Sequence, residues 1–99
     1  MPCDTLAKTA AEKKAREDAL KEFEADLVAG RLRVTRNAKG ELSVPDFAKT
    51  SAAVNGKWCM GCALRAVQNQ GSWLAKRTLA TQGVTNKPFI AAGHTGHKH

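Results

Sequence analysis

Lys57-Trp58-Cys59-Met60-Gly61-Cys62-Ala63-Leu64-Arg65 is the stretch around which the rest of this 99-residue chain is organised. It places two thiols three residues apart, at the start of a predicted helix over residues 58–70. Three residues make about one helical turn, so the two sulfurs are close enough to share one ion. The rest of the sequence contains no comparable local cluster of reactive side chains.

A shared metal ion is the first use that this spacing indicates. Zn²⁺ takes four thiolate or imidazole ligands in a tetrahedron, and Cys-x-x-Cys supplies half of such a set. The other candidates lie near the chain ends, and the predicted site consists of Cys59, Cys62, His94 and His97, or has Cys3 in place of one of these four. Such a site would stabilise a core that is rich in alanine and poor in aromatic residues. The alternative is a mobile His-rich tail, with Cys62 as a small buried apolar residue.

Redox chemistry is a second use of the same thiols. Trp58-Cys59-x-x-Cys62 opening a helix is similar to the active-site motif of thioredoxin-like proteins, where the helix N-terminus stabilises a thiolate. That family places a buried parallel strand before the motif, whereas residues 48–57 form a polar stretch that contains Gly56. A c-type haem site is excluded because Ala63, not His, follows Cys62. With no Gly-rich phosphate loop and no nucleophile elbow, the sequence favours a protein that is not an enzyme.

The N-terminal third predicts one long helix over residues 5–29. Asp4 or Thr5 is the expected N-cap, and Gly30 follows the expected C-terminus. The apolar face is continuous only in the second half, which carries Ala19, Leu20, Phe23, Leu27 and Val28. We therefore expect residues 18–29 to pack on the core, and residues 5–17 to project into solvent or lie against a partner.

A β-hairpin is predicted over residues 31–45. Leu32 and Val34 alternate with cationic residues, residues 37–40 form a turn, and Pro45 ends the second strand. Residues 46–57 are interpreted as a loop. Residues 58–82 are helical, either as one kinked helix or as two helices separated at Gly71-Ser72, and the apolar residues of the second piece are Trp73, Leu74 and Leu79. The sequence thus predicts a single α+β domain over residues 1–99, ending in an extended His-rich tail over 84–99.

The charge is distributed unevenly along the chain. Residues 1–30 carry five basic and seven acidic side chains, whereas residues 31–99 carry eleven basic and only two acidic ones. A segment this basic attracts polyanions, so nucleic acid or an acidic host protein is the expected partner. The side chains predicted to meet phosphates are Arg31, Arg33, Arg36, Lys39, Arg65, Lys76 and Arg77.

The expected setting is a reducing cytoplasm. The sequence has no apolar run long enough for a membrane span and no secretory signal, and its three cysteines cannot all pair within one chain. In such a compartment a close cysteine pair is more often metal-binding or redox-active than a structural disulfide.

Four motifs together resemble a group of small proteobacterial and phage proteins that begin Met-Pro-Cys-Asp-Thr. They are Met1-Pro2-Cys3-Asp4-Thr5, Cys62-Ala63-Leu64-Arg65, Gly71-Ser72-Trp73 and Gly93-His94-x-x-His97. The resemblance implies a bacterial or phage cytoplasmic setting, including the host cytoplasm if phage-encoded. It also implies a ligand set of Cys3, Cys62 and His94 or His97, with Cys59 as an additional thiol. No activity is carried over with it.

Three functions follow from these patterns. The first is a small basic binding module with a structural zinc ion that contacts nucleic acid. The second is a phage or mobile-element effector that binds and inhibits a host protein, with residues 5–17 as its contact surface. The third is a thiol redox protein that uses Cys59 and Cys62.

Overall fold

A computed structural model describes residues 9–84 of the chain. Within that range the elements are α1 (Ala10–Val28), β1 (Thr35–Arg36), β2 (Leu42–Ser43), a 3₁₀ helix (Phe47–Lys49), α2 (Ser51–Val54), α3 (Met60–Gln70) and α4 (Trp73–Thr81). The two strands form an antiparallel sheet. The predicted α+β class is thus confirmed for this part of the chain, and the predicted tail lies outside it apart from Val84.

Helix α1 begins at Ala10, later than predicted. The hydroxyl of Thr9 accepts a hydrogen bond from the amide of Glu12 at 3.1 Å, so Thr9 is the N-cap rather than Asp4 or Thr5. The helix ends at Val28, and Gly30 follows with a φ of +79°, the left-handed conformation that glycine adopts without strain. The predicted C-terminal boundary is therefore close to the observed one.

The buried face of α1 reaches one turn further toward its N-terminus than predicted. Ala19, Phe23 and Leu27 are buried, as expected for residues 18–29. Arg16 is also buried, with 6% of its surface exposed, although it lies in the segment expected to project. Residues 10–15 are exposed. The projecting segment therefore ends before Arg16.

The hairpin has the predicted alternation but shorter strands. Thr35 pairs with Ser43 and Arg36 with Leu42. Leu32 and Val34 are buried as predicted. The next hydrogen-bonded pair would be Arg33 with Pro45, and proline has no amide hydrogen to donate, so the ladder stops early. The amides that point away from the partner strand bond elsewhere: Val34 donates to Gln82 Oε1 at 2.6 Å, and Val44 donates to Met60 Sδ at 3.0 Å.

The prediction of a loop over residues 46–57 is wrong. This segment contains the 3₁₀ helix and α2, and Thr50 caps α2 by accepting from the amide of Ala53 at 3.3 Å. Phe47 is buried and meets Phe23 edge to face, with ring centroids 5.5 Å apart. Burial of Phe47 is the driving force that orders the segment, and Thr50-Ser51-Ala52-Ala53 provides the capping signal for α2.

Residues 58–82 form two helices rather than one kinked helix. Helix α3 begins at Met60 and α4 at Trp73, and Ser72 caps α4 through a 3.2 Å hydrogen bond from the amide of Ala75. At Gly71 a side chain would overlap the carbonyl oxygen of Val67, so the chain can turn this tightly only with glycine.

The core lies where α1, α3, α4 and the hairpin meet. Its largest fully buried side chains are Phe23, Leu27, Leu42, Leu64, Leu79 and Val67. Within residues 9–84 no helix is both long and apolar enough to cross a membrane.

Candidate functional site

The two cysteines lie at the N-terminus of α3. Cys59 is the N-cap residue, and its Sγ accepts a hydrogen bond from the backbone amide of Cys62 at 3.2 Å. Cys59 is half-buried and Cys62 is buried. An amide donated to sulfur and the positive end of the helix dipole both favour the thiolate over the thiol. The first turn of α3 therefore fixes the position of Cys59 Sγ through a backbone hydrogen bond.

The chain enters this site through a strained residue and an anchored tryptophan. Lys57 has a φ of +53°, an uncommon conformation for a residue with a side chain. The backbone amide of Trp58 donates to Ala52 O at 2.8 Å, and its indole N–H donates to Arg16 O at 3.0 Å. The position of Cys59 is thus fixed by α2 on one side and α1 on the other.

Arg16 completes this anchor from the α1 side. Its guanidinium carbon lies 4.0 Å from the centre of the Trp58 ring, and its Nη1 donates to Gly56 O at 2.8 Å. Its Nη2 is buried and has no hydrogen-bond acceptor among residues 9–84. The face of the Trp58 ring therefore supplies much of the electrostatic stabilisation that this buried cation receives.

Only two of the five predicted metal ligands lie in the described range. Cys59 and Cys62 are brought together, whereas Cys3, His94 and His97 lie outside it. Within residues 9–84 no group of three or more His, Cys, Asp or Glu side chains is arranged to hold a metal ion. A metal bound here would take its further ligands from outside that range.

The predicted phosphate-binding side chains differ in how available they are. Arg33, Lys39, Lys76 and Arg77 are exposed. Arg31 is exposed but forms an ion pair with Asp26 at 2.8 Å, and Arg65 is half-buried on α3. Arg36 is exposed, and its Nη1 donates to Gly40 O at 2.9 Å within the hairpin turn. The hairpin and α4 thus carry the more accessible cations.

Side-chain contacts fix the hairpin against the C-terminal end of α4. The amide of Val34 donates to Gln82 Oε1 at 2.6 Å, and Arg36 Nη2 lies 3.5 Å from Gly83 O. Gly83 has a φ of +92°, so it reverses the chain there without strain. The hairpin, which carries exposed cations, is therefore joined to the C-terminal end of α4, the helix that carries Lys76 and Arg77.

The first turn of α4 exposes an aromatic ring and a large aliphatic side chain. Trp73 is 71% exposed and Leu74 is 50% exposed. The Arg77 guanidinium carbon lies 5.3 Å from the centre of the Trp73 ring. The spacing in the sequence could have indicated this: Ala75 and Leu79 form the buried stripe, and at about 100° per residue Trp73 lies on the far side from both.

A groove lies between the acidic helix α1 and helix α3. It has a volume of about 230 Å³, and its lining includes Glu17, Lys21 and Glu24 from α1 and Gln70 and Gly71 from α3. Its charges are mixed, and the Glu24 carboxylate accepts a hydrogen bond from the amide of Ser72 at 2.7 Å. The groove therefore lacks the concentration of positive charge found on the hairpin and α4.

Comparisons of the chain with protein-family models, with curated proteins and with solved structures return no match.

Proposed function

We propose that this chain is a small, non-enzymatic binding module that contacts the phosphates of nucleic acid. Its contact surface consists of Arg33, Arg36 and Lys39 of the hairpin and Lys76 and Arg77 of α4. We call these five residues the basic surface. The supporting observation is that the contacts of Val34 and Arg36 join the hairpin, which carries three of these cations, to the C-terminal end of α4, which carries the other two.

The composition around that surface supports an anionic partner. Residues 31–84 carry nine basic and two acidic side chains, Glu41 and Asp46. Phosphate contact needs cations on a rigid surface and no competing carboxylates, and both conditions favour the basic surface over α1. An acidic host protein is the alternative partner for the same charges.

A salt titration with a matched control tests this function. Arg33→Gln/Lys39→Gln removes two cations of the basic surface, and Lys13→Gln/Lys14→Gln removes two exposed cations of α1. We expect binding of labelled DNA or RNA to weaken as salt rises, with a log–log slope that falls by about two in the hairpin variant. The α1 variant should keep the wild-type slope.

Two outcomes would overturn the proposal. Absence of binding to DNA and RNA at low salt eliminates nucleic acid as the partner. Equal losses in both double variants would mean that the attraction follows net charge alone rather than the basic surface.

We also propose that Cys59 and Cys62 contribute thiolate ligands to a structural zinc ion, completed from Cys3, His94 and His97. The favouring observation is the hydrogen bond from the Cys62 amide to Cys59 Sγ, which stabilises a thiolate. A structural metal would also offset the low aromatic content of the core.

Elemental analysis of protein purified without chelators tests the zinc proposal. We expect about one zinc per chain in the wild type, and loss of the metal with a lower melting temperature in Cys62→Ser. Cys59→Ser separates the ligand set that includes Cys59 from the set in which Cys59 is an additional thiol. The variant keeps the metal only in the second case. A wild type without metal, whose thiols titrate readily, would exclude the site.

A further inference from the structure

The Trp73 ring is presented to solvent from a firmly held helix. Ser72 caps α4, and its own amide donates to Glu24 Oε1 at 2.7 Å. On the opposite side of the helix Ala75 and Leu79 are buried, at 0% and 1% exposure. A ring carried on a fixed backbone loses little conformational freedom when it binds a partner.

Cationic side chains follow the ring along α4. Lys76 and Arg77 follow within one turn of the helix, and residues 72–84 contain no acidic residue. Arg77 lies over one face of the ring, and with 71% of Trp73 exposed a second planar group can reach the ring. An exposed aromatic ring beside cations is a combination that stacks on a base while the neighbouring cations hold a phosphate.

We propose that Trp73 stacks on an unpaired base, so that the nucleic acid this protein selects is single-stranded. This inference rests on the proposed function and adds the form of nucleic acid that the basic surface takes. In a duplex both faces of each base are covered by its neighbours, whereas a single strand can offer a free face to an aromatic side chain. Single-stranded DNA and RNA share this chemistry.

Trp58 does not compete for the same role. Its ring is half-buried, its indole N–H donates to Arg16 O, and Arg16 lies over its face. Stacking on Trp58 would require the Arg16 contact to be broken.

Anisotropy titrations with a labelled oligothymidylate, an oligouridylate and a duplex of equal phosphate number test the inference. The wild type should bind both single strands more tightly than the duplex. Trp73→Ala should lose about tenfold in affinity for the single strands and little for the duplex, and Trp73→Phe should keep most of the affinity. Val54→Ala is the matched control, because Val54 is another exposed apolar side chain, 63% exposed, on α2.

The outcomes separate this inference from the proposed function. If Trp73→Ala binds single strands as tightly as the wild type while Arg33→Gln/Lys39→Gln weakens binding, stacking is wrong and phosphate contact stands. Equal wild-type affinity for duplex and single strand also overturns it. The inference is overturned as well if the wild type self-associates through Trp73 while Trp73→Ala binds the single strands with unchanged affinity. No binding to any probe overturns both proposals.

Discussion

The molecule contains two tryptophan–arginine pairs that share their chemistry and differ in their surroundings. Arg16 lies over Trp58 at 4.0 Å and is buried, and the two residues are 42 positions apart in the sequence. Arg77 lies over Trp73 at 5.3 Å and is exposed, one helical turn away. The first pair joins α1 to the segment that enters α3, and the second pair lies entirely on α4.

Hydrogen bonding makes the difference between the pairs larger. In the pair of Arg16 and Trp58, which we call the inner pair, the indole donates to Arg16 O and the guanidinium donates to Gly56 O. The Trp58 side chain is therefore held by the backbone of Arg16, and the Arg16 side chain by the backbone two residues before Trp58. Burial strengthens both the cation–π contact and the hydrogen bonds. The pair of Arg77 and Trp73, which we call the outer pair, relies on an exposed contact that water and salt weaken. The same two residue types can thus hold a fold together or remain available to a partner.

Removing the inner ring should have the largest effect. We expect Trp58→Ala to lower the free energy of unfolding by about 3 kcal/mol, since it deletes a large half-buried ring, a hydrogen bond and the partner of a buried cation. Trp73→Ala, the same substitution in the outer pair, should change it by less than about 0.5 kcal/mol. Urea denaturation of both variants measures the contrast, and equal losses would contradict it.

A methyl group at Gly56 should disturb the inner pair by steric overlap. The added Cβ would lie 2.7 Å from Trp58 Cδ1 and 2.9 Å from Ala19 Cβ. We expect Gly56→Ala to cost about 2 kcal/mol of stability. The same change in a Trp58→Ala background should cost less, because one of the two overlapping groups is gone, and a fully additive double mutant would place the clash elsewhere.

Replacing Arg16 with lysine should have a smaller effect, although the charge is kept. An ammonium cannot lie flat on Trp58 and also donate to Gly56 O from the same position, so we expect Arg16→Lys to cost about 1–2 kcal/mol. Arg77→Lys is the matched control and should be nearly neutral. Chemical denaturation at constant ionic strength compares them. A stable Arg16→Lys protein would show that charge alone suffices at that position.

This contrast between the pairs could be predicted only in part from the sequence. The elements with strong local signals were correct: the second half of α1, the alternation of Leu32 and Val34, and the cap at Ser72. The 3₁₀ helix and α2 were not predicted, because a polar segment has the composition of a loop. The burial of Phe47 against Phe23 cannot be seen in the local sequence. Tertiary packing overrides local propensity in such segments.

In the candidate site, too, local features could be predicted from the sequence and long-range contacts could not. The position of Cys59 and Cys62 at the start of a helix could be predicted from the local sequence, and so could the exposure of Arg33 and Lys39. The role of Arg16 could not be foreseen, because its partners are far away in the sequence and a charged side chain in an amphipathic helix is expected to be solvated. The joining of the hairpin to α4 through Gln82 is likewise a long-range contact without a local signal.

The smallest expected effect is the coupling between Trp73 and Arg77. A double-mutant cycle of Trp73→Ala, Arg77→Ala and the double variant should give a stability coupling of about 0.5 kcal/mol or less, because the pair is exposed and lies on one helix. Thermal or urea unfolding of the four proteins measures it. A weak coupling means that Arg77 can leave the ring at little cost and reach a phosphate while a base stacks on the ring. A coupling as strong as that of a desolvated pair, about 2 kcal/mol, would make the outer pair a structural contact like the inner one and would count against Arg77 as a phosphate contact.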